Sequence, residues 1–229
     1  VGLIARELSV EPLARIMYGQ RELFHSNFLA WFFDTLPDLA DTVFRDLTVD
    51  AEVDAAGGRR VERERENLDL VLRWPDAAPL VIENKVFSLP DEIQLVEYRA
   101  KTARWKGAPA QHVLLSMSPL REPVEGWTYL SYQDLAERID VALADIDDAS
   151  YEIETIRRYS RVVRLLSVLL DTTVVHSSME SAWLDSTELA EIDSSQTRTA
   201  LRKLRARRVQ AVLAAEGALI GWTEADISH

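Results

Sequence analysis

Apolar positions recur along this chain at two spacings. Early on they return every three to four residues. Phe24, Phe28 and Trp31 form one stripe, and Leu29 and Phe32 continue a second that begins with Glu22 and His25, which predicts a helix over residues 20–34. Its second half is apolar nearly all round, so the helix is expected to be buried. Pro37 ends it. Shorter helices are predicted over residues 10–17, with Ser9 as cap and Pro12 in the first turn, and over residues 39–47.

The spacing then shortens. Residues 48–54 and 60–66 read as polar strands joined through Ala55-Ala56-Gly57-Gly58, and the alternating charges of VERERE suit an edge strand. Residues 68–74 and 80–86, rich in Leu, Val and Ile, flank the turn-forming PDAAP and predict an antiparallel pair. A helix opened by Pro90 and Asp91 runs to 105, and a buried strand follows at 112–117 as the return of a parallel crossover. A short strand at 127–130 leads into a helix capped by Ser131 and Asp134, and longer helices are predicted over 151–170 and 188–215. The expected fold is α/β: a mixed β-sheet flanked by helices, with a helical C-terminal part. The acidic turn 145–148 marks the expected boundary between a core, 1–148, and a helical region, 149–229.

Charged residues interrupt the apolar strand pair at three places. With the hairpin centred on Ala77, Asp69 faces Lys85 and Val71 faces Glu83, so Asp69, Glu83 and Lys85 share one sheet face. A one-residue slip would send Asp69 to the other face. Three buried charges are costly without partners, and two neighbouring carboxylates repel unless a divalent cation relieves them. Carboxylate oxygens are the hard ligands that Mg²⁺ or Mn²⁺ prefers, and an ammonium beside them can orient or help deprotonate a water. The chemistry implied is phosphodiester hydrolysis. On the following helix Gln94 and Tyr98, four apart, share a face and reach back over the strand ends.

Asp69 followed, after thirteen residues, by Glu83-Asn84-Lys85 resembles the motif of the PD-(D/E)XK nuclease superfamily, with Leu68-Asp69 in place of Pro-Asp. Gln94-x3-Tyr98 resembles the signature after the catalytic strand in the branch that includes nuclease domains of bacterial recombination helicase-nucleases. Glu22-x2-His25-Ser26-x-Phe28-Leu29-Ala30-Trp31, Arg63-Glu64-x2-Asn67-Leu68-Asp69, Leu114-Leu115-Ser116 and Leu130-Ser131-Tyr132-Gln133-Asp134-Leu135 resemble further motifs of one bacterial family of this group, in order over residues 10–165. The resemblance implies a restriction-endonuclease-like core with Asp69, Glu83, Lys85, Gln94 and Tyr98 as catalytic residues. It implies metal ligation by Asp69, Glu83 and the carbonyl of Asn84, with His25 and Glu64 as further ligands and Glu22 beside them. The competing reading of His25 is a core histidine, since Mg²⁺ seldom takes imidazole; that of Glu64 is an exposed strand residue.

Bulk properties narrow this further. The balance of 26 Lys and Arg against 38 Asp and Glu, a formal charge of −12, argues against indiscriminate coating of nucleic acid and leaves room only for a local positive surface. Arg99, Lys101, Arg104 and Lys106 are candidates for it, as is the run 198–208, unless these are solvated helix faces. There is no cysteine, which excludes disulfides and thiolate zinc sites. The apolar region 162–170 is broken by Arg164 and too short to span a bilayer, so no membrane role and a cytoplasmic location are expected. No secretory signal is read, and the absent initiator Met leaves the start open.

The expected function is a Mg²⁺- or Mn²⁺-dependent nuclease acting on DNA, in bacterial defence or repair. The alternatives are a ribonuclease and a catalytically silent module on the same fold that grips nucleic acid or a partner protein. A protein partner or a second copy of the chain is compatible with each.

Overall fold

The computed structural model describes residues 2–17, 21–47, 58–120, 122–175, 192 and 194–219. In chain order these form α1 (Gly2–Val10), α2 (Pro12–Met17), α3 (Arg21–Thr35), α4 (Pro37–Phe44) with a 3-10 turn (Arg45–Leu47), β1 (Arg60–Arg65), β2 (Leu68–Arg73) and β3 (Leu80–Lys85). Then come α5 (Glu92–Thr102), β4 (Gln111–Ser116), β5 (Thr128–Ser131), α6 (Tyr132–Ala142), α7 (Tyr151–Asp171) and α8 (Ser195–Leu219). The predicted strand at 48–54, and the residues before 192 in the helix predicted from 188, lie outside the described residues. The chain divides into two compact units, residues 20–164 and residues 1–19 with 165–229, so the division falls inside α7 and not at the acidic turn 145–148.

Among the described residues, the unit 20–164 is built on one five-stranded sheet in the order β1-β2-β3-β4-β5. The first three strands are antiparallel and the last three parallel, which is the mixed α/β sheet expected. The strands form because β-branched and Leu side chains fill both faces: Leu70, Val71, Leu72, Leu80, Val81, Ile82, Val113, Leu114 and Leu115 are all buried. One face packs on α5 through a cluster of Val71, Val81, Leu95, Tyr98, Leu114 and Trp127. Trp127 ties the two layers by donating its indole N–H to the Leu95 carbonyl, at 3.1 Å.

The central hairpin differs from expectation in register. Leu70 pairs with Ile82, Val71 with Val81 and Leu72 with Leu80, so the turn is centred on Asp76 and not on Ala77. Asp69 therefore comes opposite Glu83, two residues from the predicted Lys85. A shift of two preserves side-chain parity, so the shared face of Asp69, Glu83 and Lys85 survives. Just before β3, the Pro79 carbonyl accepts from Gln111 N at 2.8 Å, on the β4 side.

At the other end of the hairpin layer, Glu66 and Asn67 both have positive φ, 54° and 68°, forming a tight two-residue turn between β1 and β2. Helix α5 is started by Asp91, whose carboxylate accepts from Ile93 N and Gln94 N. Ser131 starts α6 in the same way, through Asp134 N. Ser9 is not a cap: it lies within α1, its hydroxyl donating to the Arg6 carbonyl at 2.7 Å.

In the unit 1–19 with 165–229, the basic run on α8 is partly structural. Arg205 donates to the Val174 carbonyl, and Arg208 donates to the Leu170 carbonyl at 3.0 Å and to Thr173 Oγ1 at 2.8 Å. Both are buried, and their guanidinium groups satisfy orphan carbonyls at the C-terminal end of α7, where positive charge is favoured. These two arginines are thereby removed from the nucleic-acid candidates. Among the described residues, no helix is long and apolar enough to cross a membrane.

Candidate active site

On the α5 face of the sheet, strand alternation presents Glu83 and Lys85 side by side. Lys85 Nζ donates to Glu83 Oε1 at 2.8 Å and to Gln94 Oε1 on α5 at 2.8 Å. Gln94 Nε2 in turn donates to the Tyr98 hydroxyl at 2.8 Å, so the four-residue spacing on α5 fixes the amide that steadies the ammonium. From β2, Asp69 Oδ2 accepts the backbone N–H of Asn84 at 2.7 Å. The structure thus brings together Asp69, Glu83, Lys85, Gln94 and Tyr98.

The electrostatics are those of a site held apart from water. Burial, and then the charge of Asp69, push the Glu83 carboxyl up from 4.5 to about 7. Burial raises Asp69 too, against the pull of the Asn84 N–H and of Lys85, with Glu22 and Glu64 adding repulsion. Burial works against the Lys85 ammonium, but the charge of Glu83, its hydrogen bond and the charge of Asp69 outweigh it and leave that pKa raised. Burial and the nearby Glu83 charge also raise Tyr98. Glu83 is only 2% exposed, and its second oxygen, Oε2, has no hydrogen-bond partner. A buried carboxylate oxygen left without a partner is costly unless something else completes it.

Asn84, between Glu83 and Lys85, points to the opposite face. Its Nδ2 donates to Ser26 Oγ on α3 at 2.8 Å, and its Oδ1 accepts from the Tyr132 hydroxyl on α6 at 3.1 Å. His25 lies on this side as well, fully buried, its Nδ1 2.9 Å from the Tyr159 hydroxyl on α7, with the rings of Tyr132 and Phe24 against it. Burial lowers the His25 pKa to about 3, so the ring is neutral. The structure therefore does not bring His25 to the carboxylates as expected of a metal ligand. In the sequence Ser26 and Tyr132 stand only as members of the resembled motifs, with no site role, and Tyr159 is not singled out. The one signal was Asn84 itself, an amide in an apolar strand that needs partners on the far face.

Glu64 also departs from expectation. Its φ of 52° breaks the alternation of β1. Arg63 reaches Asn27 on α3, whereas Arg65, two residues on, lies with its guanidinium 5.4 Å from the centre of the Trp105 ring. Glu64 is exposed, and among the described residues no three Asp, Glu or His side chains gather as a metal-binding group. It acts on Asp69 only as a nearby charge. Glu22 is exposed at the rim and accepts from Ser88 Oγ at 2.6 Å, tying α3 to the loop that follows β3.

Of the four basic candidates, two are occupied. Arg99 donates to the Glu125 carbonyl at 2.6 Å, and a side chain at Gly126 would meet its guanidinium at 2.5 Å. Lys101 donates to the Glu66 carbonyl and sits 5.1 Å from the centre of the Tyr98 ring. Arg104 and Lys106 are exposed just beyond α5.

Two carboxylates, one with an orphaned oxygen, fit a hard divalent cation that keeps several waters. Mg²⁺ is commonly held by one or two carboxylates together with substrate phosphate. They do not fit a zinc site, which closes with four nitrogen, sulfur or oxygen ligands. No curated protein and no solved structure gives a significant match to the chain. A family model described as PD-(D/E)XK nuclease superfamily matches residues 13–161, a span that holds the five residues assembled on the α5 face and the tight turn that delivers Asp69. With that match over more than half its length, and the carboxylates and lysine of the motif on one face of a mixed sheet, the chain belongs to the PD-(D/E)XK nuclease superfamily.

Proposed function

We propose that the protein is a divalent-metal-dependent nuclease that hydrolyses phosphodiester bonds in DNA. The observation that carries this is the unpartnered Glu83 Oε2, buried beside Asp69 while the Lys85 ammonium holds the other oxygen of Glu83. Nucleases of this superfamily generally use divalent metal ions. A Mg²⁺ or Mn²⁺ ion on Asp69 and Glu83, with the main-chain carbonyl of Asn84, would polarise the phosphoryl group and lower the pKa of water.

The chain's own groups do the rest. Lys85 has three N–H donors; Glu83 and Gln94 take two, and the third is left to orient the attacking water or a phosphoryl oxygen. The charges of Glu83 and Asp69 raise its pKa in the metal-free protein, so it enters the site as a charged donor and an electrostatic partner. Tyr98 holds Gln94, and Gln94 fixes the direction of the ammonium. Arg104 and Lys106 supply a small positive rim for the backbone of the substrate.

The site addresses the phosphodiester, which DNA and RNA share, and the choice of DNA rests on the resemblance to recombination nucleases. Bacterial defence or repair, in the cytoplasm, is the setting such an activity fits. The test is incubation with linear, circular and single-stranded DNA, in competition with RNA, in Mg²⁺, Mn²⁺ or EDTA. Cleavage of DNA that stops in EDTA is expected. Preferential cleavage of RNA would replace the DNA reading with the ribonuclease one, and metal-independent binding without cleavage would replace both with a binding module.

A further inference from the structure

Five side chains lie together behind the catalytic strand: His25 and Ser26 on α3, Asn84 on β3, Tyr132 on α6 and Tyr159 on α7. None is more than 1% exposed. Helices from early and late in the unit's sequence, α3 and α6, thus converge on the middle residue of Glu83-Asn84-Lys85. No charge is present in the set, and no substrate reaches it.

The chemistry of the amide fixes the direction of both its bonds. Asn84 Nδ2 can only donate, and it donates to Ser26 Oγ, whose own proton goes to the Glu22 carbonyl at 3.2 Å. Asn84 Oδ1 can only accept, so the Tyr132 hydroxyl proton is committed to it. The His25 ring packs on both tyrosines, its centre 5.0 Å from that of Tyr132 and 5.6 Å from that of Tyr159. The Tyr159 hydroxyl lies 2.9 Å from His25 Nδ1. The result is an amide anchored at both ends, by Tyr132 and by Ser26, with His25 and Tyr159 packed behind Tyr132.

Resting on the nuclease reading above, we propose that Tyr132, backed by Tyr159 and His25, is a positioning residue for phosphodiester hydrolysis, acting through Asn84. Clamped at both ends of its amide, Asn84 cannot rotate. Its backbone N–H is thereby held on Asp69 Oδ2 at 2.7 Å, and the residues on either side, Glu83 and Lys85, are held to the α5 face. Neutral groups on one face of β3 set the geometry of charged groups on the other. On this account His25 contributes by packing against the Tyr132 ring and has no contact with substrate.

The test uses Tyr132→Phe, which removes one hydroxyl and keeps the ring, and Ser26→Ala, which removes the other anchor. Each is expected to lower kcat about ten-fold with KM unchanged, since small misplacements of reacting groups cost rate and not binding. The backbone amide of Asn84, followed by hydrogen exchange in the metal-free protein, is expected to exchange about ten-fold faster in both variants. The double variant is expected to lose less than the product of the two, because both act through one amide. A role in stability alone would lower Tm while leaving kcat and the Asn84 exchange rate at wild-type values, and that result overturns the proposal. If the wild-type protein cleaves and Tyr132→Phe cleaves equally well, positioning fails and the nuclease reading stands. If the wild-type protein cleaves neither DNA nor RNA in any metal, both fall together.

Discussion

On its α3 side, β3 carries an amide whose every group is answered by a neutral partner, in a set sealed from solvent. On its α5 side, one residue to either side, it carries a carboxylate and an ammonium with a second carboxylate opposite, and one oxygen is answered by nothing. The same strand obeys opposite rules on its two faces. A neutral amide bonded at both its groups costs little and gives a single geometry, whereas a buried carboxylate oxygen with no partner is costly and calls for a ligand that completes it. The difference locates the chemistry: the open carboxylate oxygen is where something binds, and the clamped amide behind it keeps that position fixed, while the unpartnered atom on the neutral side, His25 Nε2, belongs to an uncharged ring.

The contrast can be attacked most strongly at Lys85. Lys85→Ala removes the ammonium held between Glu83 and Gln94 and is expected to reduce cleavage by about 10² to 10⁴-fold, the range typical of losing a positioned proton-bearing group. Undiminished cleavage in single-turnover assays would falsify the assignment of that face.

A smaller effect is expected in stability. Glu83 in the folded state holds its proton to about 7, against 4.5 for the ordinary carboxyl. Between those values the folded chain binds a proton that the unfolded chain has released, so the contribution of Glu83 is full below 4.5 and is lost as pH rises through 7. Above 7, its buried charge destabilises the metal-free protein by up to about 3 kcal/mol. Glu83→Gln should therefore raise Tm at pH 8 and leave it unchanged at pH 4, and a Tm gain of equal size at both would mean that the carboxylate is not strained by burial. Mg²⁺ should raise the wild-type Tm at pH 8 and have little effect on the Glu83→Gln variant.

The smallest effect belongs to the rim. Arg104→Ala with Lys106→Ala should weaken binding of nucleic acid a few-fold and reduce the slope of log affinity against log salt by about 1 to 2, with the cleavage step unchanged. An unaltered slope would place the substrate path elsewhere.

The charged face could be read from sequence because it depends on parity. Asp69, Glu83 and Lys85 were grouped from a hairpin centre that was one residue off, yet moving the centre by one residue shifts the pairing by two and keeps every side chain on its face. The neutral face could not be read so. His25 to Tyr159 spans 134 positions, and α3 is apolar on almost every side, so nothing local says which neighbour its imidazole meets. Glu64 is a candidate through the resemblance alone, and the structure gives it a positive φ that no local sequence rule predicts for a glutamate. The basic run on α8 looked like a surface because arginine usually is one. Two of its members are instead buried against the end of α7, where their charge caps main-chain carbonyls.

The two ends of the central hairpin differ in what they permit an engineer to change. The Glu66-Asn67 turn allows only two residues between β1 and β2, and any insertion there would slide Asp69 along its partner strand. The 74–79 connection lies about five residues, or roughly 16 Å, from Asp69 at the far end of the same strands. A peptide tag or a targeting module grafted at Asp76 or Ala77 would leave the register of Leu70 with Ile82, and hence the site, in place, which makes this loop the natural port for tethering the protein to a chosen nucleic-acid-binding domain.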